Sequence, residues 1–461
     1  MEKVFVLGID GAPPEYLFDK WLDELPNIKK IIDNGCYAKL NSTIPPLSVT
    51  AWSSIFTGKS PSDTGIFEYV YKKKGLYNFG LVSANELKEK TVWQIASEGG
   101  KKPVVCFLNL TWPIKPFEGI LVSGPLAPSG EDVDCTYPKE LKQEIKEKLG
   151  EIPMPDIPNF RNLSKQEVID EAYKMTKKHL NIMRYLIQNK EWNLFFGVIG
   201  MSDRLHHMFW RYMDEKHRKY SPDSEFKNTI KEFYIFLDKE LGELIKLLDK
   251  DTTIILLSDH GITRMHNRIN LTDWLIKNNY LVLKEPIKEK TVFNLNMVNW
   301  EKTKVFAIGA YEGQIYINLK ERESQGIVNP GEEYDTLIHE LETKLKQISG
   351  DDGKELKTKV FMKKRDYDGK LIGGAPDMIV YFDDLEYGCN STLIGNDTLW
   401  SPSTAKGSDD ATHSRQGIFV LKNGKHQKNY LGEISYLDIV PTILNELNLK
   451  IPSDMKGKII K

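Results

Sequence analysis

Three short, strongly apolar runs that each lead to a carboxylate constrain the fold of this chain more than any other feature. The runs cover residues 3–9, 192–199 and 252–258, and they lead to Asp10, Asp203 and Asp259. Runs this apolar are typical of central strands that are buried on both faces of a parallel sheet. Helix-like segments separate them, and this alternation predicts an α/β fold with a doubly wound, mostly parallel sheet. Such sheets carry their chemistry beyond the carboxyl ends of the strands.

Side chains able to bind a metal ion collect at these strand ends and at one later turn. The candidate ligands are Asp10, Asp203, His207, Asp259, His260 and His413. If a helix begins near Asp203, then Asp203 and His207, four residues apart, point the same way. His413 is predicted in a polar turn before a strand at 417–421. A single carboxylate after a strand is more often a helix cap or turn residue, so the hypothesis depends on the joint arrangement.

Ser48 is the candidate nucleophile. It follows Pro45 and Pro46, and the pattern predicts a helix that begins near Ser48 and ends at Gly58. A serine there would place its oxygen at the positive end of a helix, beside free backbone N–H groups. Helix capping is the simpler explanation for one serine taken alone.

Five segments, in order along the chain, resemble one family. Residues 44–67 resemble its nucleophile helix and the following turn, 203–207 its Asp-x-x-x-His ligand pair, and 257–261 its Asp-His pair. Residues 91–95 and 438–444 resemble structural segments of the same group. Over nearly its whole length the chain resembles the alkaline phosphatase superfamily, and within it the type I phosphodiesterase and nucleotide pyrophosphatase branch.

The resemblance implies two divalent metal ions. One would be held by Asp203, His207 and His413, and the other by Asp10, Asp259, His260 and Ser48. Mixed histidine and carboxylate ligands suit Zn²⁺ best and Mn²⁺ or Fe²⁺ next, whereas Mg²⁺ and Ca²⁺ prefer oxygen ligands alone.

The same resemblance implies that Ser48 forms a covalent phosphoseryl intermediate during hydrolysis of phosphodiester or phosphoanhydride bonds. The branch usually has threonine as its nucleophile, and Thr50 is the alternative if the register is shifted by two residues. The backbone N–H of Val49 is expected to hold a phosphoryl oxygen.

The substrate contacts are harder to identify than the metal ligands. Tyr69 and Asn109 are candidate contacts, because one follows the nucleophile helix and the other ends a strand-like run. Arg204, Arg264 and Arg415 are further candidates for binding phosphate. Arginines beside acidic residues more often form ion pairs.

The chain is expected to divide into a catalytic core and an inserted cap. The alkaline-phosphatase-like core is predicted at 1–266 and 378–461, with a helical, charged segment at 128–189 that could serve as a lid. Residues 267–377 are predicted to form an inserted cap that selects the substrate.

Composition excludes several other classes of protein. The 461 residues carry a formal net charge of −2, which gives no field for binding a nucleic acid polymer. The four cysteines have no paired spacing, so neither a disulfide framework nor a thiolate zinc site is indicated. No apolar run approaches the roughly 20 residues of a membrane span. The first strand begins too early for a removable signal peptide, so the cytoplasm is the expected compartment. The resemblance implies a small-molecule phosphoester as the partner. The sequence does not indicate an oligomeric state.

Three alternatives remain open. A phosphomonoesterase or phosphomutase of the same superfamily would use the same metals, although the usual phosphoglycerate mutase sequence around the serine is absent. A sulfatase would need a Cys-x-Pro-x-Arg context, which is also absent. A non-catalytic nucleotide-binding α/β module would explain the sheet but not the ligands, and residues 8–12 lack the glycine spacing of a dinucleotide fingerprint.

Overall fold

A nine-stranded sheet forms the centre of the computed structural model, which describes residues 2–130, 132–158, 160–407, 409–425 and 428–461. The strands are β1 Val4–Ile9, β2 Cys36–Asn41, β3 Val70–Lys72, β4 Phe79–Leu81, β5 Pro103–Cys106, β6 Ile120–Val122, β7 Thr136–Tyr137, β8 Leu194–Ile199, β9 Thr253–Leu257, β10 Gly261–Arg264, β11 Asn267–Asn270, β12 Thr291–Val292, β13 Val305–Ile308, β14 Gly313–Ile317, β15 Lys359–Met362, β16 Met378–Tyr381, β17 Tyr387–Asn390, β18 Leu393–Ile394, β19 Trp400–Ser401, β20 Ala411–Ser414, β21 Gln416–Lys422 and β22 Asn429–Ser435. The α-helices are α1 Pro26–Asp33, α2 Ser48–Thr57, α3 Pro61–Thr64, α4 Val92–Glu98, α5 Glu140–Leu149, α6 Lys165–Asn189, α7 Met201–Met213, α8 Thr229–Ile245, α9 Leu271–Lys277, α10 Glu332–Lys346, α11 Lys363–Asp366 and α12 Ile439–Glu446.

The central sheet is mostly parallel. Its order is β22-β2-β21-β9-β1-β8-β5-β6-β7. Strands β9, β1, β8, β5 and β6 run parallel to one another, and β21 pairs antiparallel with both β9 and β2. The three apolar runs that predicted a sheet are its adjacent central strands β9, β1 and β8. The predicted mostly parallel α/β sheet is therefore confirmed.

Helices cover both faces of this sheet, as a doubly wound fold requires. Along β1 the side chains alternate, because successive residues of a strand point to opposite faces. Phe5 and Leu7 pack into the core shared with α1, α6, α7 and α8, while Val4 and Val6 pack into the core shared with α2, α4 and α12. The fully apolar sequence of β1 follows from burial on both sides.

The predicted cap forms a sheet and a core of its own. Strands β13, β14, β16 and β15 make an antiparallel four-stranded sheet in that order, and α10 packs on it through Leu337 and Leu341. The predicted end of the cap at residue 377 falls inside this sheet, because β16 begins at Met378 and pairs with both β14 and β15. Gly373 and Gly374 lie in the connection between β15 and β16.

The segment predicted as a lid divides into two parts. Helix α6, with 25 residues, packs against α7, α8 and β8, so residues 165–189 belong to the helical layer of the core. The part before α6 includes Pro155 and Asp156, which line a cavity at the end of the sheet, and for this part the lid remains a prediction. Within the described residues, no helix combines the length and apolar character needed to cross a membrane.

Candidate metal centre

Five of the six predicted ligands lie at the carboxyl ends of adjacent parallel strands. Asp10 follows β1, Asp259 and His260 follow β9, and Asp203 and His207 lie on α7, which begins after β8. These three strands are neighbours in the sheet. Residues far apart in sequence therefore converge at one edge, as expected for an open α/β sheet.

The sixth ligand, His413, reaches the site on an antiparallel ribbon. Its prediction in a turn was wrong in that respect, because His413 lies within β20, which pairs with β10 opposite Ile262. Strand β10 continues directly from His260, and this pairing stacks the imidazoles of His260 and His413 with ring centroids 3.7 Å apart. The pairing partner β10 was not evident in the sequence, and this is why a turn was predicted at His413.

Asp203, His207 and His413 form the first ligand group. Asp203 Oδ1 lies 3.3 Å from His207 Nε2 and 3.6 Å from His413 Nε2, and the two Nε2 atoms are 3.3 Å apart. Ligand atoms about 2.0–2.1 Å from a tetrahedral ion are separated from one another by about 3.3–3.4 Å. The triangle of atoms therefore has the size of one face of a single metal coordination shell.

The three histidines are oriented by backbone carbonyls. His207 Nδ1 lies 3.1 Å from the carbonyl oxygen of Ala411, His413 Nδ1 2.7 Å from that of Pro46, and His260 Nδ1 2.9 Å from that of Gly261. Each Nδ1–H therefore donates, which leaves each Nε2 as a lone pair directed into the site. Burial lowers the pKa of His413 to about 3, which keeps its imidazole neutral. With Nδ1 as the donor in both rings, the facing Nε2 atoms of His207 and His413 are both acceptors, and a bound cation would satisfy both.

Asp10, Asp259, His260 and Ser48 form the second ligand group. His260 Nε2 lies 3.5 Å from Asp10 Oδ1 and 3.2 Å from Asp259 Oδ2. Ser48 Oγ lies 3.1 Å from His260 Nε2 and 3.4 Å from Asp10 Oδ1. His260 also forms a close group with Asp203 and His413, so it lies between the two ligand sets.

Two of the three site carboxylates, Asp10 and Asp259, lie in surroundings that disfavour their negative charge. Burial, with the charges of Asp259 and Asp203, raises the pKa of Asp10 well above its usual value, and burial raises the pKa of Asp259 to about 6. Among the described residues, Asp203 Oδ1 and Asp259 Oδ2 are buried without a hydrogen-bond donor. Buried carboxylates of this kind are stabilised by a bound cation, so the donor set fits divalent metal ions.

Local backbone geometry positions two parts of the second group. Helix α2 begins at Ser48 after an extended Leu47 and ends at Gly58, whose φ of 66° is left-handed, which confirms the helix predicted from the sequence. Gly11 has a φ of 69°, and its amide donates to Asp259 Oδ1 over 3.2 Å. A Cβ atom at position 11 would also lie 3.3 Å from Asp203 Oδ1. Both the positive φ and this close contact therefore favour glycine in the turn after Asp10.

The predicted substrate contacts line a cavity that opens beside this group. Its lining includes Asp10 and Ser48 together with Tyr69, Asn109 and Arg204. Asn109 Oδ1 is buried there without a partner among the described residues. The structure therefore brings Tyr69 and Asn109 together with the candidate nucleophile.

The remaining candidates lie elsewhere. Val49 buries its side chain in the core, while its N–H is in the first turn of α2, where a helix offers no carbonyl partner. Thr50 is fully buried and is not part of the cavity wall, so Ser48 and not Thr50 reaches the ligands. Arg264 binds Asp214 and Glu386, and Arg415 does not line the cavity.

Tyr311 and Asp409 belong to the site although sequence reasoning missed them. The Tyr311 ring stacks on His207 with centroids 5.3 Å apart and lies 4.7 Å from His413. Asp409 accepts hydrogen bonds from Arg161 and Arg268, and it lies 3.9 Å from His207 Nδ1. Asp409 could have been noticed in the polar stretch before His413, whereas nothing local to Tyr311 distinguishes it from a core aromatic.

Trp52 holds the carboxylate of Asp10 in place through a hydrogen bond. Its indole Nε1–H donates to Asp10 Oδ2 over 3.0 Å. We expect Trp52→Phe to weaken metal affinity by about 10- to 100-fold, because outer-shell donors orient ligating carboxylates. Titration of the metal against a competing chelator measures this affinity. Trp93→Phe, in another buried indole that packs on Phe56 outside the site, is the control, and equal weakening in both variants would contradict the prediction.

Solved structures share this fold over nearly the whole chain. Phosphonoacetate hydrolase from Sinorhizobium meliloti 1021, in complex with phosphonoformate, aligns with a TM-score of 0.62 at 14% identity, covering 97% of this chain and 96% of that one. Murine ectonucleotide pyrophosphatase/phosphodiesterase 5, in an inactive form with AMP, aligns with a TM-score of 0.55 at 16% identity, covering 98% and 96%. The human protein of the same name aligns with a TM-score of 0.56 at 15% identity, covering 99% and 97%.

The family assignment comes from the sequence itself. No curated protein matches the chain. The sequence profile of the type I phosphodiesterase/nucleotide pyrophosphatase family matches residues 4–392, a span that includes Ser48 and all of the ligands except His413. The chain belongs to the type I phosphodiesterase/nucleotide pyrophosphatase family, whose members are metal-dependent phosphoryl hydrolases.

Proposed function

We propose that this protein is a phosphodiesterase or nucleotide pyrophosphatase in which Ser48 attacks phosphorus at a centre for two divalent cations. One observation carries the proposal. Ser48 Oγ lies within 3.4 Å of two ligands of the second group, Asp10 and His260, and also faces the cavity that holds Tyr69 and Asn109. A serine used only as a helix cap would not need this position.

The ligand types support the choice of metal. Two cations bound by the two groups would stabilise the attacking and leaving oxygens of an in-line displacement. Three imidazoles and three carboxylates favour Zn²⁺, with Mn²⁺ or Fe²⁺ as the next choices. The mixed nitrogen and oxygen ligand set argues against Mg²⁺ and Ca²⁺ as the native ions.

The reaction would proceed in two displacement steps, in which Ser48 and the first turn of α2 have separate roles. Ser48 gives up its hydroxyl proton to solvent, and its Oγ forms a bond to phosphorus while the bond from phosphorus to the leaving oxygen breaks, which leaves a phosphoseryl intermediate that keeps one ester group. A water oxygen then bonds to phosphorus while the bond from phosphorus to Ser48 Oγ breaks, and a proton from the water returns to Ser48. The N–H of Val49 and the positive end of α2 stabilise a nonbridging oxygen during both steps.

Two similar structures point to the range of substrates. The murine relative was solved with AMP, a nucleoside monophosphate, and the bacterial one with phosphonoformate. An AMP-like group joined through a second ester or anhydride bond is the substrate class that we favour. The near alternative is a phosphomonoesterase, since the same cations and nucleophile serve both reactions.

Turnover of two chromogenic esters tests the proposal. Metal-reconstituted protein is expected to hydrolyse bis-p-nitrophenyl phosphate with kcat/KM at least about tenfold above that for p-nitrophenyl phosphate, and Ser48→Ala protein is the inactive control. Preference for the monoester would reassign the protein as a phosphatase or mutase. Lack of metal-dependent turnover of either ester would contradict the hydrolase itself.

A further inference from the structure

A proline-rich loop forms part of the wall of the cavity that contains Ser48. This loop, residues 153–158, contains Pro153, Pro155 and Pro158. Pro155 and Asp156 line the same cavity as Ser48 and Asp10. The segment predicted as a lid therefore contributes a carboxylate to the active site.

The carboxylate of Asp156 binds Arg204, an arginine that lines the same cavity as Ser48. Arg204 lines the cavity, and its guanidinium donates to Asp203 Oδ2 and to Asp156 Oδ2, each over 2.6 Å. Asp203 is committed to the first ligand group, so Asp156 is the group that compensates the remaining charge of the guanidinium. The guanidinium therefore presents almost no net positive charge to a phosphoryl group in the cavity.

Asp156 is held in place from both sides. Its Oδ1 accepts from the N–H of Ile157 over 2.8 Å. Two residues earlier, the carbonyl of Met154 accepts from His179 Nε2 over 2.8 Å, and the His179 ring stacks on Phe107 with centroids 3.7 Å apart. Burial lowers the pKa of His179 to about 4, so a neutral imidazole makes this contact. Three prolines further restrict the loop, and Asp156 is thus a fixed part of the site.

The charge of the substrate at phosphorus distinguishes the two ester classes. A phosphodiester carries one negative charge there, whereas a phosphomonoester carries nearly two at neutral pH. An arginine with no carboxylate partner would favour the phosphomonoester, because a guanidinium group binds a doubly charged phosphoryl group more strongly than a singly charged one. A carboxylate beside that arginine cancels the attraction, and one charge a few ångströms from a bound anion in a partly buried site changes affinity by about one to two orders of magnitude.

We propose that Asp156 neutralises Arg204 and thereby makes this site select phosphoesters with a single negative charge at the reacting phosphorus. This inference rests on the proposed function and deepens it. Arg204 is the group that contacts the phosphoryl oxygen, and Asp156 is a specificity-determining residue that acts through it. Removal of the Asp156 charge should release Arg204 to bind dianionic phosphate.

The first test measures selectivity in a variant that keeps the shape of the side chain. In Asp156→Asn protein we expect the ratio of kcat/KM for p-nitrophenyl phosphate to that for bis-p-nitrophenyl phosphate to rise at least about tenfold. Asp156→Glu should keep the ratio near that of the unmodified protein. Glu151→Gln removes the same charge from the same segment, where Glu151 binds Lys178 over 3.4 Å outside the cavity, and should leave the ratio unchanged.

The second test needs no turnover. Isothermal titration with inorganic phosphate compares metal-loaded Ser48→Ala protein with the Ser48→Ala/Asp156→Asn double variant. We expect phosphate to bind the double variant about tenfold more tightly. Equal phosphate affinity, or an unchanged ester ratio in active Asp156→Asn enzyme, would overturn the role of Asp156. Failure of the unmodified protein to prefer the diester would instead count against the proposed function, and the phosphate titration would still decide the role of Asp156.

Discussion

Ser48→Ala protein is expected to lose at least about 10³-fold in kcat for phosphoester hydrolysis, because removal of a nucleophile that acts with its supporting groups eliminates most of the catalysis. The loss should appear with monoester and diester substrates alike, since both need the same attacking oxygen. Steady-state kinetics with bis-p-nitrophenyl phosphate measure it. Thr50→Ala is the matched control, because Thr50 lies two residues away on the same helix and outside the cavity.

The same variant should keep its metal ions. Asp10, Asp259 and His260 remain in the second ligand group when Ser48 is replaced, and the first group is untouched. Metal content by mass spectrometry should therefore match that of the unmodified protein. A large activity loss in Thr50→Ala with normal turnover in Ser48→Ala would show that the nucleophile is Thr50.

Metal removal is expected to have the second largest effect, on stability as well as on activity. Asp10, Asp203 and Asp259 are buried close together, and within the described residues two of their oxygens have no donor. Each cation present at about 1,000 times its dissociation constant adds about 4 kcal/mol to the free energy of unfolding, so two cations add about 8 kcal/mol. Dialysis against a chelator should therefore abolish turnover and lower Tm by roughly 5–10 °C.

Adding metal ions back to the chelated protein tests which ion the site prefers, and the same melting curve in a variant tests one ligand. Zn²⁺ should restore Tm and activity, with Mn²⁺ or Fe²⁺ less effective, whereas Mg²⁺ should restore little because three of the ligands are imidazoles. Asp259→Asn protein should respond less to chelation than the unmodified protein, since one ligand is already lost. An unchanged Tm after chelation of the unmodified protein would contradict a metal centre at these residues.

The central sheet and the convergence of the candidate ligands at its edge could be predicted because their signals are local. The strands β1, β8 and β9 are continuous apolar runs, and each ends on polar residues whose place is fixed by the parallel sheet. Ser48 could be predicted for the same reason, since Pro46 and Gly58 mark the limits of its helix.

The contacts that shape substrate binding could not be predicted, because they depend on how distant segments fold over the site. Tyr311 follows β13 in the cap and reaches His207 only through the tertiary structure. Asp156 meets Arg204 across 48 residues of sequence. The predicted end of the cap at residue 377 falls just before β16, which belongs to the sheet of the cap, because the pairing of β16 with β14 and β15 leaves no local signal in the sequence.

Capture of the covalent intermediate tests the central claim most directly. Metal-reconstituted protein would be mixed with bis-p-nitrophenyl phosphate, quenched in acid within the first turnover and digested for peptide mass spectrometry. We predict a p-nitrophenyl phosphoryl group on the peptide containing residues 44–58, with fragmentation that assigns it to Ser48, and no such group in Ser48→Ala protein. An active enzyme that carries the group on another residue, or that releases both products without ever carrying it, would contradict nucleophilic attack by Ser48.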